Sequence, residues 1–353
     1  MTTMKRRTAA IARLCALGLT LSSVACAASS GPAMDARTQQ AVIASAIAQL
    51  DRAYVFPETA KTMGADLRAR LQRKEFEGLD GDGLAEAMTK ALRSVSHDGH
   101  LEVRYIVDAP SPGAAPNPAS KAGDGELVQQ RRLNFGMAHV ERLKGNLGYI
   151  DVHQFGRPNG AAPRISAAMG FLADTDALII DLRKCGGGDP ETVMAFASYL
   201  YDRPTHLNDV YWRDENRLET RWTQATVPGK RYGASRPVFL LTSRDTFSGC
   251  EDLAYAMKNN RRAVVVGETT GGGAHAGGPQ PLADHFMMFV PTGRPINPVT
   301  HGDWEGVGVA PDVAVSADSA LDVAQMAALK TLAAKETDAE WKVKLEERIS
   351  ELK

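Results

Sequence analysis

Apolar residues in the first part of the chain recur at helical spacing. They predict one helix over residues 41–50, a second over residues 57–73 and a third over residues 82–95. Pro57 separates the first two helices, because the residue before a proline disfavours the helical conformation. We therefore expect a small helical domain over residues 35–106, which ends in a strand-like alternation.

Short apolar runs alternate with helical patterns over residues 134–330. Strands are predicted at residues 148–152, 177–182, 236–241 and 263–267, and helices at residues 161–172, 190–200 and 249–258. Strands that alternate with helices predict a layered α/β core. Two further strands are predicted at residues 285–291 and 308–315.

The segments that flank this core have different compositions. Residues 109–124 are rich in Pro, Ala, Ser and Gly, which predicts a flexible linker or exposed loop within residues 107–133. At the other end, one long C-terminal helix is predicted over residues 321–352. Its last part, residues 331–353, is expected to form a unit of its own, with Glu and Lys on a solvated face.

The first 34 residues predict a secretory signal peptide followed by a short mature tail. Three basic residues at 5–7 precede an apolar stretch at 9–21, and small residues surround Cys26. Two interpretations stay open. Cleavage after Ala27 would give a soluble periplasmic protein, whereas Cys26 in a lipoprotein box would carry a lipid anchor.

Composition narrows the class of protein. The chain has 353 residues, 44% of them apolar, and a net charge of −1. This charge gives no argument for a nucleic-acid partner or an anionic membrane surface. Cys185 and Cys250 are the two cysteines expected in the folded part. The interpretation we favour is two small buried residues, and the alternative is a disulfide in an oxidising compartment.

Ser248 lies where a predicted strand turns into a predicted helix. Such a turn exposes a nucleophile beside unpaired backbone N–H groups at the positive end of a helix. The alternative is that Ser248 caps the helix, with Glu251 completing a capping box.

Three glycines, Gly186 to Gly188, follow the buried strand at 177–182. Glycines at such a place allow backbone N–H groups to approach a phosphate or an oxyanion. The spacing matches neither a P-loop nor a dinucleotide-binding fingerprint. His97 and His100 lack the partners of a zinc pattern, so we expect no metal ion and no cofactor.

Together these motifs resemble one known family. In chain order they are YVFPE (54–58), SHDGHL (96–101), GYI (148–150), DLRKCGGG (181–188), TFSGCE (246–251), VGETTGGG (266–273) and EGVGVAPD (305–312). The chain resembles the C-terminal processing (tail-specific) serine peptidases. It looks most like the branch of the tricorn-type peptidases and the repeats of interphotoreceptor retinoid-binding protein. The resemblance implies a crotonase/ClpP-like α/β core with a small N-terminal helical bundle.

The resemblance also implies roles for single residues. Ser248 matches the nucleophile, His100 the base and Glu305 the carboxylate that orients it. Gly249 and Gly187 would supply the oxyanion-hole N–H groups.

Two positions depart from the family pattern. Gly273 stands where the processing proteases have a lysine base, and Gly99 stands where the tricorn-type branch has a serine. The PDZ module of the processing proteases also has no counterpart in the chain.

Alternatives stay open for several residues. His275, together with Gly186 and Gly188, is a candidate for lining the cleft, and His275 is also an alternative base, as are His97 and His301. Arg183 is expected to pair structurally near the glycine turn.

The function predicted is a secreted serine endopeptidase for peptides or unfolded protein tails. The first alternative is a carrier of small apolar ligands, as in the retinoid-binding relatives, and the second is another acyl-transfer reaction on a crotonase-like scaffold. The oligomeric state stays open.

Overall fold

The computed structural model describes residues 31–106 and 121–352. Residues 1–30, which contain the whole predicted signal peptide and Cys26, lie outside the described residues, as do residues 107–120. The helices are α1 (Ala36–Ala53), α2 (Pro57–Gln72), α3 (Gly81–Ser96), α4 (Lys121–Arg132), α5 (Pro158–Phe171), α6 (Pro190–Ser198), α7 (Gly249–Asn259), α8 (Ala320–Ala333) and α9 (Ala339–Glu351). Within the described ranges no helix is both long and apolar enough to cross a membrane.

The strands form two sheets. They are β1 (Glu102–Tyr105), β2 (Met137–Leu143), β3 (Leu147–Val152), β4 (Ala177–Asp181), β5 (Asp209–Trp212), β6 (Arg217–Glu219), β7 (Val238–Thr242), β8 (Val264–Gly267), β9 (Ala276–Pro281), β10 (Phe286–Ile296) and β11 (Val313–Ala314). The larger sheet has the order β11-β8-β7-β4-β3-β2, and all its pairings are parallel except that of β2 with β3. The second sheet is antiparallel, with the order β1-β10-β5-β6 and with β9 also paired to β10.

The parallel sheet is covered on both faces, as its continuous apolar strands predict. Every residue of β4 and β7 is buried. Ile180 faces the core formed with α5, α6 and α7, whereas its neighbour Ile179 faces the core formed with α8 and α9. This alternation follows from the two-residue repeat of a strand. The predicted α/β core is therefore confirmed as a sheet between two helical layers.

The N-terminal helices do not pack as an isolated bundle. Their buried faces share one hydrophobic cluster with Phe286, Met288 and Val290 of β10. Strand β1, at the end of the predicted N-terminal domain, pairs with the same β10. Helices α1 to α3 thus close one face of the antiparallel sheet, and His100 in the loop after α3 stacks on Phe289 of β10.

Three predicted elements differ in the structure. Helix α4 occupies the second half of the predicted linker at 107–133. The predicted C-terminal helix is two helices, because Asp338 begins α9 by accepting hydrogen bonds from the N–H groups of Glu340 and Trp341. The strand predicted at 308–315 is only Val313–Ala314, and Pro311, two residues before it, has no N–H to extend the ladder towards the N-terminus.

Candidate active site

The turn at Ser248 joins the carboxyl end of β7 to the start of α7. Ser248 has φ 54° and ψ −124°, a strained conformation for a residue with a side chain. Its N–H donates to Oε2 of Glu251 at 2.8 Å. Glu251, in the first turn of α7, therefore holds the backbone of Ser248 by this hydrogen bond. In the resulting conformation the hydroxyl of Ser248 faces a cleft.

Glu251 does more than the capping role predicted for it. This fully buried carboxylate also accepts hydrogen bonds from the hydroxyl of Thr270 and from the N–H groups of Gly272 and Gly273. Burial raises the pKa of Glu251, although these donors oppose the shift. One side chain thus joins the serine turn to the loop that follows β8. No local pattern in the sequence indicates this second role of Glu251.

His100 is the imidazole that meets the serine. Its Nε2 lies 3.0 Å from Oγ of Ser248. The ring lies between Phe247, with ring centroids 4.8 Å apart, and Phe289, with centroids 5.7 Å apart. Burial lowers the pKa of His100 to about 4, so its imidazole is neutral at pH 7 and can accept a proton.

The loop that carries His100 is fixed by its own hydrogen bonds. The N–H of His100 donates to Oδ1 of Asp98 at 3.0 Å. The guanidinium of Arg93 donates to the carbonyl oxygens of Gly99 and Leu101. The backbone on both sides of the imidazole is therefore held, although Nδ1 of the ring is buried without a hydrogen-bond partner among the described residues.

The resemblance implies that Glu305 orients His100, but the carboxylate hydrogen-bonds elsewhere among the described residues. Its Oε2 accepts hydrogen bonds from the N–H groups of Ala274 and His275, at 2.6 and 3.1 Å. The same oxygen lies 3.5 Å from Nδ1 of His275. Within residues 31–106 and 121–352, Glu305 makes no hydrogen bond with His100. The carboxylate of Glu305 therefore binds the backbone of residues 274–275 and not the imidazole of His100.

His275 lies between two carboxylates instead. Its Nδ1 is 2.7 Å from Oδ2 of Asp98, which also accepts a hydrogen bond from the hydroxyl of Tyr54. Burial lowers the pKa of His275, but the hydrogen bond and charge of Asp98 outweigh it, and the net shift is upward. Burial and the Asp98 carboxylate raise the pKa of Glu305. Asp98, His275 and Glu305 could also hold a metal ion, since one ligand atom from each lies within 4.8 Å of the others.

The other candidate histidines lie away from the serine. His97 is an exposed residue that ends α3 in a left-handed conformation, and His301 is an exposed loop residue. Neither makes a described contact with Ser248. Among the alternative bases, His275 lines the same cleft as the serine, but His100 is the one within hydrogen-bond distance of it.

The glycine turn lies beside the serine because β4 and β7 are adjacent parallel strands, whose carboxyl ends meet at one sheet edge. The N–H of Gly187 donates to Sγ of Cys250 at 3.0 Å, and that of Gly186 donates to the carbonyl of His153. No described residue accepts a hydrogen bond from the N–H of Gly188 or Gly249. A Cβ built on Gly249 would lie 3.2 Å from the nitrogen of Gly188, so these two groups are neighbours. The N–H of Gly187, predicted as an oxyanion donor, is thus already engaged by Cys250, whereas the N–H groups of Gly188 and Gly249 have no acceptor among the described residues.

Cys185 and Cys250 form a disulfide between the glycine turn and α7. The interpretation favoured from the sequence, two unlinked buried cysteines, is corrected. Both side chains are fully buried, as that interpretation required. However, the two cysteines lie in loops that follow adjacent strands of one sheet, which places their Cα atoms 6.0 Å apart, within the range of a disulfide. Nearby, Arg183 donates to the carboxylate of Asp181 and to the carbonyl of Ala317, the structural pairing that was predicted.

The cleft around Ser248 has a volume of about 380 Å³. Its lining includes Gly186, Gly188, Gly249 and His275. Most of the remaining wall is apolar, and it comes from Val210, Trp212, Phe247, Phe289, Pro295 and Trp304. Several of these lie on β5 and β10, for which the sequence offered no functional signal.

Comparisons with known proteins agree with this architecture. The family model described as peptidase family S41 matches residues 146–315. The model of the N-terminal domain of these peptidases in eukaryotic IRBP matches residues 34–131. The chain belongs to peptidase family S41. The two matched regions contain Ser248, Glu305 and His100, that is, every residue predicted to react or to support the reaction.

Two curated relatives give a measure of the likeness. The chain is 29% identical over 166 residues to carboxyl-terminal-processing peptidase 2, chloroplastic, of Arabidopsis thaliana, which covers 47% of this chain and 31% of the relative. It is 28% identical over 172 residues to the carboxyl-terminal-processing protease of Synechocystis, which covers 48% of this chain and 38% of the relative. The chain thus matches about a third of the length of these S41 relatives.

Solved structures show the same fold over more of the chain. A putative peptidase from Parabacteroides merdae has a TM-score of 0.56 at 20% identity, over 86% of this chain and 99% of that one. The photosystem II D1 C-terminal processing protease has a TM-score of 0.50 at 18% identity, over 80% and 94%. The S41 fold, with its α/β core and N-terminal helical region, is therefore shared.

The lysine of the processing proteases has no room in this S41 chain. A Cβ built on Gly273 would lie 2.1 Å from the ring of Phe247, which is well inside contact distance. The N–H of Gly273 is also held by Glu251. Because Phe247 packs against both Gly273 and His100, the same ring that fills the lysine position supports the imidazole.

Proposed function

We propose that this S41 protein is a secreted serine endopeptidase that hydrolyses peptide bonds of peptides or unfolded protein tails. The observation that carries the proposal is the 3.0 Å separation between Nε2 of His100 and Oγ of Ser248. A serine hydroxyl is a weak nucleophile until a base accepts its proton, and this distance is within reach for that transfer.

In the proposed reaction His100 takes the proton of Ser248 as Oγ attacks the carbonyl carbon of the peptide bond. The N–H groups of Gly188 and Gly249 then donate to the oxygen that becomes negative. The imidazolium returns its proton to the leaving amine, and a water molecule activated by His100 hydrolyses the acyl-enzyme. Each N–H group of this pair contributes on the order of 3 kcal/mol to the transition state.

Glu305 supports the base at a distance in this proposal, in place of the direct contact implied by the resemblance. It holds the backbone at 274–275 and shares His275 with Asp98. The charge of Asp98 favours a protonated His100, whereas the charge of His275 opposes it. We assign the carboxylates of this group to balancing charge around the imidazolium that forms during attack.

The substrate class follows from the cleft. Its apolar wall fits a nonpolar side chain of an extended peptide, which an unfolded segment presents more readily than a folded surface does. A disulfide is typical of proteins that fold in oxidising compartments, which favours a periplasmic location. A soluble form and a form anchored through lipid on Cys26 both remain compatible with this location.

Replacement of the nucleophile tests the proposal. Ser248→Ala is expected to lower kcat on an internally quenched unfolded peptide by about 10⁴- to 10⁶-fold. The matched control is Ser94→Ala, an exposed serine of α3. Peptide hydrolysis that survives Ser248→Ala in full would rule out the proposed mechanism.

One observation favours a second candidate function, a carrier of small apolar ligands. The cleft wall is mostly apolar and its volume is about 380 Å³, in the range of small-ligand sites. Titration with a fluorescent fatty acid or retinoid tests it. Tight binding by a protein that neither cleaves peptides nor reacts with a fluorophosphonate probe would favour the carrier.

A further inference from the structure

The disulfide lies at the one place where it joins both halves of the proposed oxyanion hole. Cys185 directly precedes the glycine turn that contains Gly188, and Cys250 directly follows Gly249. We propose that the Cys185–Cys250 disulfide is a positioning element, which sets the separation of the two N–H groups that bind the oxyanion. The inference rests on the function proposed above.

The glycine turn needs such a restraint. Gly187 and Gly188 have φ values of +115° and +135°, which residues with side chains rarely adopt. A run of three glycines has many alternative conformations of similar energy. Backbone hydrogen bonds hold the turn on the side of the Phe155 segment: the N–H groups of Gly186 and Asp189 donate to the carbonyls of His153 and Phe155, and the carbonyl of Gly187 accepts from the N–H of Phe155. On the side of α7, the N–H of Gly187 donates to Sγ of Cys250, so the disulfide sulfur ties the middle of the turn to the helix that begins at Gly249.

The serine side is rigid by comparison. Gly249 and Cys250 are the first two residues of α7, and Glu251 holds the turn from the next position. The N–H of Phe247 also donates to the carbonyl of Cys185 at 2.9 Å, which joins the bases of the two loops. The disulfide adds the link nearest the N–H groups, where the glycines themselves provide no side chains.

The expected effect of losing the bond follows from the contacts that it removes. Without the disulfide, the covalent link between the glycine turn and α7 is lost, and without the Cys250 sulfur the N–H of Gly187 loses its acceptor. A misplacement of about 1 Å at a reacting centre can lower the rate about 100-fold. Because the oxyanion exists only in the transition state and the intermediate, the loss appears in kcat and leaves KM nearly unchanged.

The test is the double variant Cys185→Ala/Cys250→Ala, assayed beside wild type on one unfolded peptide. We expect kcat to fall about 10- to 100-fold with KM within about twofold. The matched control is Met257→Ala, a fully buried residue of α7 outside the site, which lowers the melting temperature without moving the glycine turn. A kcat of the double variant equal to that of Met257→Ala would overturn the proposal.

A second readout separates this inference from the peptidase proposal. The labelling rate of Ser248 by a fluorophosphonate probe needs the nucleophile and the oxyanion donors but no peptide. Slower labelling of the double variant supports the inference, and equal rates in both proteins overturn it alone. A wild type that is never labelled overturns the proposed function, and the inference with it.

Reduction of the native protein covers the case in which the double variant does not fold. Dithiothreitol would convert the disulfide to two thiols while it becomes a cyclic disulfide itself. We expect peptidase activity to fall in step with the appearance of thiols at Cys185 and Cys250, counted by alkylation and peptide mass spectrometry. Full activity with both thiols alkylated, or free thiols at both positions in the untreated protein, would contradict the proposal.

Discussion

The two sides of the cleft are built in different ways. The nucleophile side consists of loops after the adjacent parallel strands β4 and β7, and it is held by backbone hydrogen bonds, Glu251 and a disulfide. The base side brings His100 from the loop after α3, and it is held by a side-chain network of Tyr54, Asp98, His275 and Glu305. These network residues come from four segments that are remote along the chain.

The positions of the reacting groups are thus determined by different interactions on the two sides. On the nucleophile side, the sheet fixes the positions of the loops and the glycines permit close approach. On the base side, the hydrophobic cluster of α1 to α3 with β10 positions the loop that carries His100. The buried charged groups of the network then determine the orientation of its side chains. Changes on the nucleophile side should therefore affect transition-state binding, whereas changes on the base side should affect proton transfer and its pH dependence.

The largest effect is expected from removal of the base. His100→Ala should lower kcat about 10⁴- to 10⁶-fold, because no other described imidazole lies within hydrogen-bond distance of Ser248. The control is His97→Asn, three residues away, since asparagine tolerates the left-handed conformation of His97. Steady-state hydrolysis of an unfolded peptide measures both. If His100→Ala kept a tenth of the activity, His100 would not be the general base, and His275 would become the candidate for that role.

A smaller but still large effect is expected from Glu251→Gln, which tests the nucleophile side. All of the groups bonded to this carboxylate are donors, so an amide NH₂ would face a donor it cannot satisfy. We expect a loss of about 3 kcal/mol in the free energy of unfolding, measured by urea titration. The exposed Glu347→Gln is a control that should change stability by less than about 0.5 kcal/mol. Equal stabilities of the two variants would show that Glu251 contributes no more to folding than an exposed glutamate does.

The sequence locates the nucleophile side more readily than the base side, because the first depends on local motifs and the second on contacts between remote segments. Ser248, Gly249 and the glycine turn lie within short motifs at strand ends, so local patterning locates them. The buried network depends on side-chain contacts over separations such as the 177 residues between Asp98 and His275, which no local pattern encodes. For that reason the disulfide was the less favoured of two interpretations, and the contact of Glu305 with the 274–275 backbone was not predicted.

The smallest effect is a shift in pH dependence. Burial lowers the pKa of His100 to about 4, and the imidazole must be neutral to act as a base. The acid limb of kcat/KM should therefore lie near pH 4, well below the value of about 6.5 for an unperturbed histidine. Between these values the unfolded chain binds the proton that the folded His100 rejects, so this group makes stability fall as the pH drops from about 6.5 to 4. A pH series of initial rates at low substrate measures the limb.

Asp98→Asn sharpens this last prediction, because it changes the base side without touching Ser248. The charge of Asp98 is the larger of the effects that neighbouring groups have on His100, and it raises the pKa. Its removal should move the acid limb to lower pH, while the exposed control Asp318→Asn leaves the limb in place. A limb that moved upward in Asp98→Asn would mean that the loss of His275 as a charged neighbour dominates. The network would then act on the base mainly through that imidazolium.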